Sequence, residues 1–125
     1  TPQLCHNDLL NENFLDDGRL RIIDWEYAGM GDVFFDLANF AVNHQLNDEQ
    51  DHLLLTLYFG EATAKQLARL KLMKIMSDFR EAMWGMVQQG ISTLDFDFRG
   101  YADKHFARMT GSFEDVVFKE WLKAI

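Results

Sequence analysis

The 125-residue sequence has one cysteine and one proline. Cys5 has no partner for an internal disulfide, which fits a reducing compartment, and it reads as buried and inert. The proline stands at position 2, so no later helix is interrupted by a missing amide donor. No apolar run approaches the roughly 18 residues of a membrane span. No basic, apolar, small-residue leader is visible, so the expected location is cytoplasmic. Cationic side chains are few: 12 Lys and Arg face 20 Asp and Glu, a formal charge of −8. Such a surface repels phosphate backbones, which removes nucleic acid from the expected partners. An initiating Met is also lacking, and a chemically dense motif falls within the first ten residues. The expectation is therefore a piece of a longer protein.

What is present is ordinary for a globular chain, with 48% hydrophobic and 26% charged residues, enough for one domain. Asp16-Asp17-Gly18 between two short apolar runs predicts a hairpin of Asn13–Leu15 and Leu20–Ile23. Gly29 and Gly31 read as a loop. Phe34, Leu37, Ala38 and Ala41 repeat at helical spacing. A second helix is predicted over His52 to Phe59, ending near Gly60. A third carries the stripe Leu67, Leu70, Met73, Met76, Phe79, Met83 and Val87, read as core, and ends near Gly90. Asp95-Phe96-Asp97-Phe98 reads as a loop, Tyr101 to Met109 as a fourth helix, and Ser112 as the N-cap of a last one.

The chemistry concentrates in His6-Asn7-Asp8-Leu9-Leu10-Asn11-Glu12-Asn13, the hairpin, and Ile23-Asp24-Trp25-Glu26. A carboxylate at Asp8 can orient a hydroxyl and take its proton. Asn13 offers a neutral oxygen ligand and Asp24 a charged one, which suits Mg²⁺. The hairpin brings those two together. Phosphoryl transfer uses this kit, and an Asn five residues after an Asp matches the spacing of the kinase catalytic loop.

With Gly31-Asp32 and Phe35-Asp36-Leu37-Ala38-Asn39-Phe40 added, the chain resembles the choline/ethanolamine kinase family and, more loosely, aminoglycoside phosphotransferases. Trp84-Gly85-Met86-Val87-Gln88, Ile91-Ser92 and Tyr101-Ala102 extend the resemblance to about residue 110. It implies an α+β, mostly helical fold: the C-terminal lobe of a protein-kinase-like fold, with a catalytic loop and hairpin (residues 1–33) followed by about five helices (residues 34–125). It implies Asp8 as catalytic base, and Asn13 and Asp24 as Mg²⁺ ligands. Glu26 would support the metal site or a neighbouring loop, and Asp36 would brace the catalytic loop. Tyr27, Trp84, Phe98 and Tyr101 would surround the amine head group. ATP is the implied co-substrate, a small cationic alcohol the acceptor, and an N-terminal lobe of the same protein the partner. The Gly-rich loop, strand Lys and helix Glu of that lobe do not occur before His6, so the chain alone is expected to be catalytically silent. Asn43 stands where choline enzymes usually show Glu, and Glu81 where they show a further Trp.

Plainer readings stand beside these. His6 is expected to hold the loop rather than exchange protons, and Asp32 to cap a helix. Ser77, Glu81, Trp84 and Gln88 form a polar stripe on the third helix. It suits a cation held by Glu81 and the indole, or a half-buried Trp packing on the next helix. Asp48, Glu49, Asp51 and the Asp95/Asp97 pair read as solvated acidic surface. The acceptor alternatives are an aminoglycoside, thiamine or another metabolite. A helical binding remnant without catalysis is the remaining reading.

Overall fold

A computed structural model describes all 125 residues. Short strands frame the first third, and five helices make up most of the rest. Strand β1 (Gln3–Cys5) pairs antiparallel with β4 (Gly29–Gly31), placing Cys5 opposite Gly29. Strand β2 (Phe14–Asp16) pairs antiparallel with β3 (Leu20–Ile22), placing Phe14 opposite Ile22. A 3₁₀ turn at Asn11–Asn13 leads into β2. Relative to expectation, the first strand of the hairpin is shifted one residue toward the turn and the second ends one residue earlier. The β1–β4 ribbon replaces the expected loop at Gly29 and Gly31. Its strands are three residues long and one contains two glycines, so no alternation marks them.

Helix α1 (Val33–Asn43) is capped by Asp32, whose side chain accepts from Phe34 N–H. Helix α2 (Asp48–Phe59) and helix α3 (Ala64–Ile91) each open on a capping box, Asn47 with Gln50 and Thr63 with Gln66. Helix α2 therefore starts four residues before the expected His52. Gly60 ends it at φ 83°, a left-handed position that glycine takes without strain. Helix α4 (Phe98–Glu114) is capped by Asp97 and takes in Phe98, expected in the preceding loop. Ser112 does not cap the last helix. It lies within α4, its hydroxyl donating to the Arg108 carbonyl 3.1 Å away. Helix α5 (Phe118–Ala124) begins at Val117 with no side-chain cap.

The long α3 is the spine, packed against α1, α4 and α5. Leu37, Ala38, Leu55 and Leu70 form a small apolar core, with Phe34, Leu54, Leu67 and Met73 around it. Beyond Met73 the expected apolar stripe of α3 is not core. Met76 is 51% and Val87 52% exposed, and Phe79 and Met83 are also exposed. The buried side there carries Ser77, Asp78, Glu81, Ala82 and Gly85. Small and polar residues replace bulk because α3 meets its neighbours there through hydrogen bonds. Asp78 takes Arg108 and His105, and Ser77 takes the Asn39 amide. Asp51 is likewise no surface carboxylate: it is fully buried and paired with Lys71 and Lys74. No helix is long and apolar enough to cross a membrane.

Candidate active site

The loop between β1 and the 3₁₀ turn is fastened to α1 through backbone amides. Asp36 accepts from His6 N–H and Asn7 N–H, both at 2.7 Å. Asn39 Oδ1 accepts from Leu9 N–H at 2.6 Å. An ionised acceptor makes the stronger bonds. Asn7 sits at φ 68° and Asp24 at φ 61°. Asn and Asp tolerate this left-handed region better than other L residues, at a cost of about 1–3 kcal/mol each. The turn at Asn7 lets consecutive amides converge on one carboxylate.

His6 is buried and joins the two halves of the site. Its Nδ1 accepts from Asp8 N–H at 3.1 Å, which assigns the proton to Nε2, and Nε2 donates to the Ile23 carbonyl at 2.8 Å. Its ring meets Trp25 edge-on at 4.6 Å. Both nitrogens are engaged, so its visible work is to hold Asp8 and the Ile23–Asp24 corner in register.

Asn13 is buried at the end of the turn. Its Nδ2 donates to the Asp8 carbonyl at 2.7 Å and lies 3.2 Å from the Asp8 carboxylate. Its backbone carbonyl accepts from Ile23 N–H at 2.9 Å, setting it beside Asp24. With Nδ2 turned to Asp8, Oδ1 is unengaged, as is the exposed Asp24 carboxylate. One amide oxygen and one carboxylate, on residues joined across the Asn13–Ile23 bond, are hard donors of the kind Mg²⁺ takes together with phosphate oxygens and water. No three His, Cys, Asp or Glu side chains converge as an all-protein metal cage, and Mg²⁺ seldom uses one.

Asp8 borders a cavity of about 460 Å³ lined mainly by Leu10, Tyr27, Met83, Trp84, Val87 and Tyr101, with Glu26, Arg80 and Glu81 as its other polar groups. Burial pushes the Asp8 carboxyl above its usual range, and the neighbouring Glu81 charge adds to this. Arg80, the Asn13 amide and His6 oppose the rise. Trp84 is 38% exposed, with Phe98 and Tyr101 edge-on to it at 5.8 and 5.5 Å. Phe98 is buried behind Trp84 and does not reach the cavity. Gly85 lets α4 come close: a Cβ there would stand 3.1 Å from Ala102 Cβ, the Phe98 carbonyl and the Tyr101 ring. That approach brings the Tyr101 hydroxyl to Glu81 Oε2 at 2.6 Å. Burial, then this bond, raises the Tyr101 pKa, keeping it a donor.

The expected polar stripe of α3 divides. Ser77 is buried against Asn39, Gln88 does not line the cavity, and only Glu81 and Trp84 do. Two residues of the site escaped sequence reasoning. Asn39 leaves a trace, since it stands three residues after Asp36 and four before Asn43, on one polar side of α1. Arg80 leaves none, because its partners in the loop are more than 70 positions away.

Comparison with known proteins follows the same lines. Residues 1–72 match the phosphotransferase enzyme family. Protein LicA of Haemophilus influenzae is 37% identical over 93 residues, covering 68% of this chain and 35% of its own length. Human ethanolamine kinase 2 is 33% identical over 120 residues, covering 78% of this chain and 31% of its own. The crystal structure of a choline/ethanolamine kinase family protein from Mesorhizobium loti superposes with a TM-score of 0.90 at 40% identity, over 99% of this chain and 43% of that one. The chain thus spans about a third of the length of these curated relatives.

Proposed function

Because this chain belongs to the phosphotransferase enzyme family, we propose that it is the C-terminal lobe of a small-molecule kinase. The kinase moves the γ-phosphate of ATP to the hydroxyl of a cationic amino alcohol, with choline and ethanolamine as the leading acceptors. The observation that carries this reading is a single cavity bounded by Asp8 and by the Trp84–Tyr101 aromatic wall. An amino alcohol is a few bonds long, with a cation at one end and a hydroxyl at the other. A cation against the indole leaves the hydroxyl at the Asp8 side.

Asp8 accepts the hydroxyl proton as the oxygen attacks phosphorus. Its raised affinity for protons suits that task, since a base near its operating pH transfers protons with most effect. Asp36 and Asn39 hold the loop that carries Asp8, and His6 keeps Asp8 in register with the Ile23–Asp24 corner. Asn13 and Asp24 would hold Mg²⁺, with Glu26 in support, and the ion would supply charge that offsets that of the transferring phosphates. The N-terminal lobe supplies the remaining nucleotide contacts, so the 125-residue chain alone turns over no substrate. The identity of the relatives as choline and ethanolamine kinases supports the acceptor class.

The test is a panel of ethanolamine, choline, thiamine and an aminoglycoside with the full-length protein and ATP, with and without Mg²⁺. Mg²⁺-dependent phosphorylation of the two small amino alcohols is expected. Preference for the aminoglycoside would move the acceptor to a polyamine, a shift that the carboxylates of Asp8 and Glu26 on the same cavity would accommodate.

A further inference from the structure

Arg80 lines the cavity, and nothing in the reaction scheme above uses it. One of its terminal nitrogens, Nη1, donates to the Asn7 carbonyl. The other, Nη2, donates to Glu81 Oε1 at 2.6 Å and lies 3.3 Å from Asp8 Oδ1. The guanidinium carbon lies 5.3 Å from the Phe35 ring centre and 6.0 Å from that of Tyr27. One planar cation is thus stacked between aromatic rings of α1 and the Asp24 segment while it grips the catalytic loop from α3. Glu81 is buried, only 4% exposed, and both of its oxygens are engaged: Oε1 by Arg80 and Oε2 by the Tyr101 hydroxyl. Each Glu81 oxygen thus already accepts from a group of the chain itself, and the adjacent Arg80 charge offsets the carboxylate's pull on a ligand cation.

We infer that Arg80 is a positioning residue for Asp8, and that Glu81 anchors Arg80 instead of serving as the counter-ion of the acceptor. Asp36 and Asn39 hold the loop by its amides from one side. Arg80 holds it from the other, by the Asn7 carbonyl and the Asp8 carboxylate. The relay Asp8–Arg80–Glu81–Tyr101 ties the catalytic loop to α3 and α4, so the base and the aromatic wall keep a fixed separation. Lys cannot replace Arg here, because an ammonium neither forks between a carbonyl and two carboxylates nor stacks as a plane.

The kinetic part of the test rests on the proposed phosphotransferase reading; a structural part does not. Choline and its neutral isostere 3,3-dimethyl-1-butanol are compared as acceptors in the full-length protein. Arg80→Met is expected to lower kcat by roughly 10- to 100-fold for both, the scale of losing charge-assisted hydrogen bonds at a reacting group. Arg80→Lys recovers only part of this. Glu81→Gln lowers kcat for both acceptors and leaves the ratio of their KM values unchanged. A rise in KM for choline alone would make Glu81 the counter-ion and overturn the anchor assignment. Unchanged kcat in Arg80→Met would overturn the positioning role. Hydrogen exchange of the full-length protein is read in parallel. Arg80→Met should speed exchange in the segment 5–13 and leave α4 unaltered. If the wild type phosphorylates no alcohol, the functional reading falls, and exchange decides. Faster exchange at 5–13 keeps the clamp, and unchanged exchange removes it.

Discussion

His6–Leu9 and Ile23–Tyr27 face each other across the site, yet they are held in different ways. The first gives three backbone amides to Asp36 and Asn39 on α1, and Asn39 is itself fixed by Ser77 on α3. The second is tied largely to itself, through Trp25 Nε1 to the Ile22 carbonyl and Ala28 N–H to the Trp25 carbonyl. Its hydrogen bonds outward run to the first segment, from His6 to Ile23 and from Asn7 to Tyr27, and to Asn13 through Ile23 N–H, while Arg80 of α3 lies over the Tyr27 ring. Ile22, Ile23, Trp25 and Tyr27 remain exposed. The segment with Asp8 is therefore positioned by the helical body, and the segment with Asp24 is positioned chiefly through the catalytic loop. Precision at the proposed base originates in α1 and α3, and precision at the proposed metal ligands is inherited from it.

The largest effect should come from the group the first segment exists to place. Asp8→Asn keeps the shape and the hydrogen bond from Asn13 but removes the base. We expect kcat to fall by about 10²- to 10⁴-fold with thermal stability unchanged. Near-normal turnover would take Asp8 out of the base role. Asp36→Ala should come next, and it separates the two segments. Two amide donors lose an ionised acceptor, at a cost of about 3 kcal/mol in stability, measurable by denaturant unfolding. If the dependence runs one way, Asp36→Ala also weakens Mg²⁺ activation through Asn13 and Asp24, although it touches neither. Normal Mg²⁺ dependence would show that the second segment holds its own position.

Much of the candidate site was legible in the sequence as a grouping of residues, because His6-Asn7-Asp8, Asn13 and Asp24 lie close along the chain at spacings that chemistry constrains. The stripe of α1 was legible for the same local reason. The second half of α3 was not. Met76, Phe79, Met83 and Val87 follow helical spacing, but the side that packs carries Ser77, Asp78 and Glu81, whose burial depends on partners from α1 and α4. Periodicity reports which residues share a face, not which face is covered. The β1–β4 ribbon and the Arg80 bridge were hidden because each depends on chain segments brought together by the fold.

The aromatic wall gives a smaller effect, confined to one substrate. Trp84→Ala removes the indole but leaves Asp8 and its α1 anchors in place. A cation held on an indole face is stabilised by roughly 0.5–2 kcal/mol, so KM for a cationic acceptor should rise by up to about 30-fold. KM for ATP should be almost unmoved. Equal losses for both would mean that Trp84 supports the packing of α3 on α4 through Phe98 and Tyr101, and that the wall is structural.

The smallest effect tests the seam where the weakly tied segment enters the helical body. Asp32 follows β4, caps α1 at Phe34 N–H, and is paired with Arg69 on α3. Burial pushes its carboxyl up, but the bonds from Arg69 and Phe34 N–H outweigh burial and hold it below its usual range. A carboxylate with a lowered folded pKa contributes stability at neutral pH that is lost as pH falls through that folded value. Asp32→Asn keeps the cap, since Asn is as good at that position, and removes only the charge. The pair is partly exposed, at 46% for Arg69 and 31% for Asp32, so the loss at neutral pH should be only about 0.5 kcal/mol. The gap between wild type and variant should close as the pH drops through the carboxylate range, where the wild-type carboxyl becomes neutral as well. It should also shrink with added salt, which screens exposed pairs. Denaturant unfolding of both proteins from neutral to acid pH measures the gap directly. A gap that stayed constant with pH would assign the loss to the cap and not to the Arg69 pair. The seam would then depend on α1 alone, unlike His6–Leu9, which Arg80 also holds from α3.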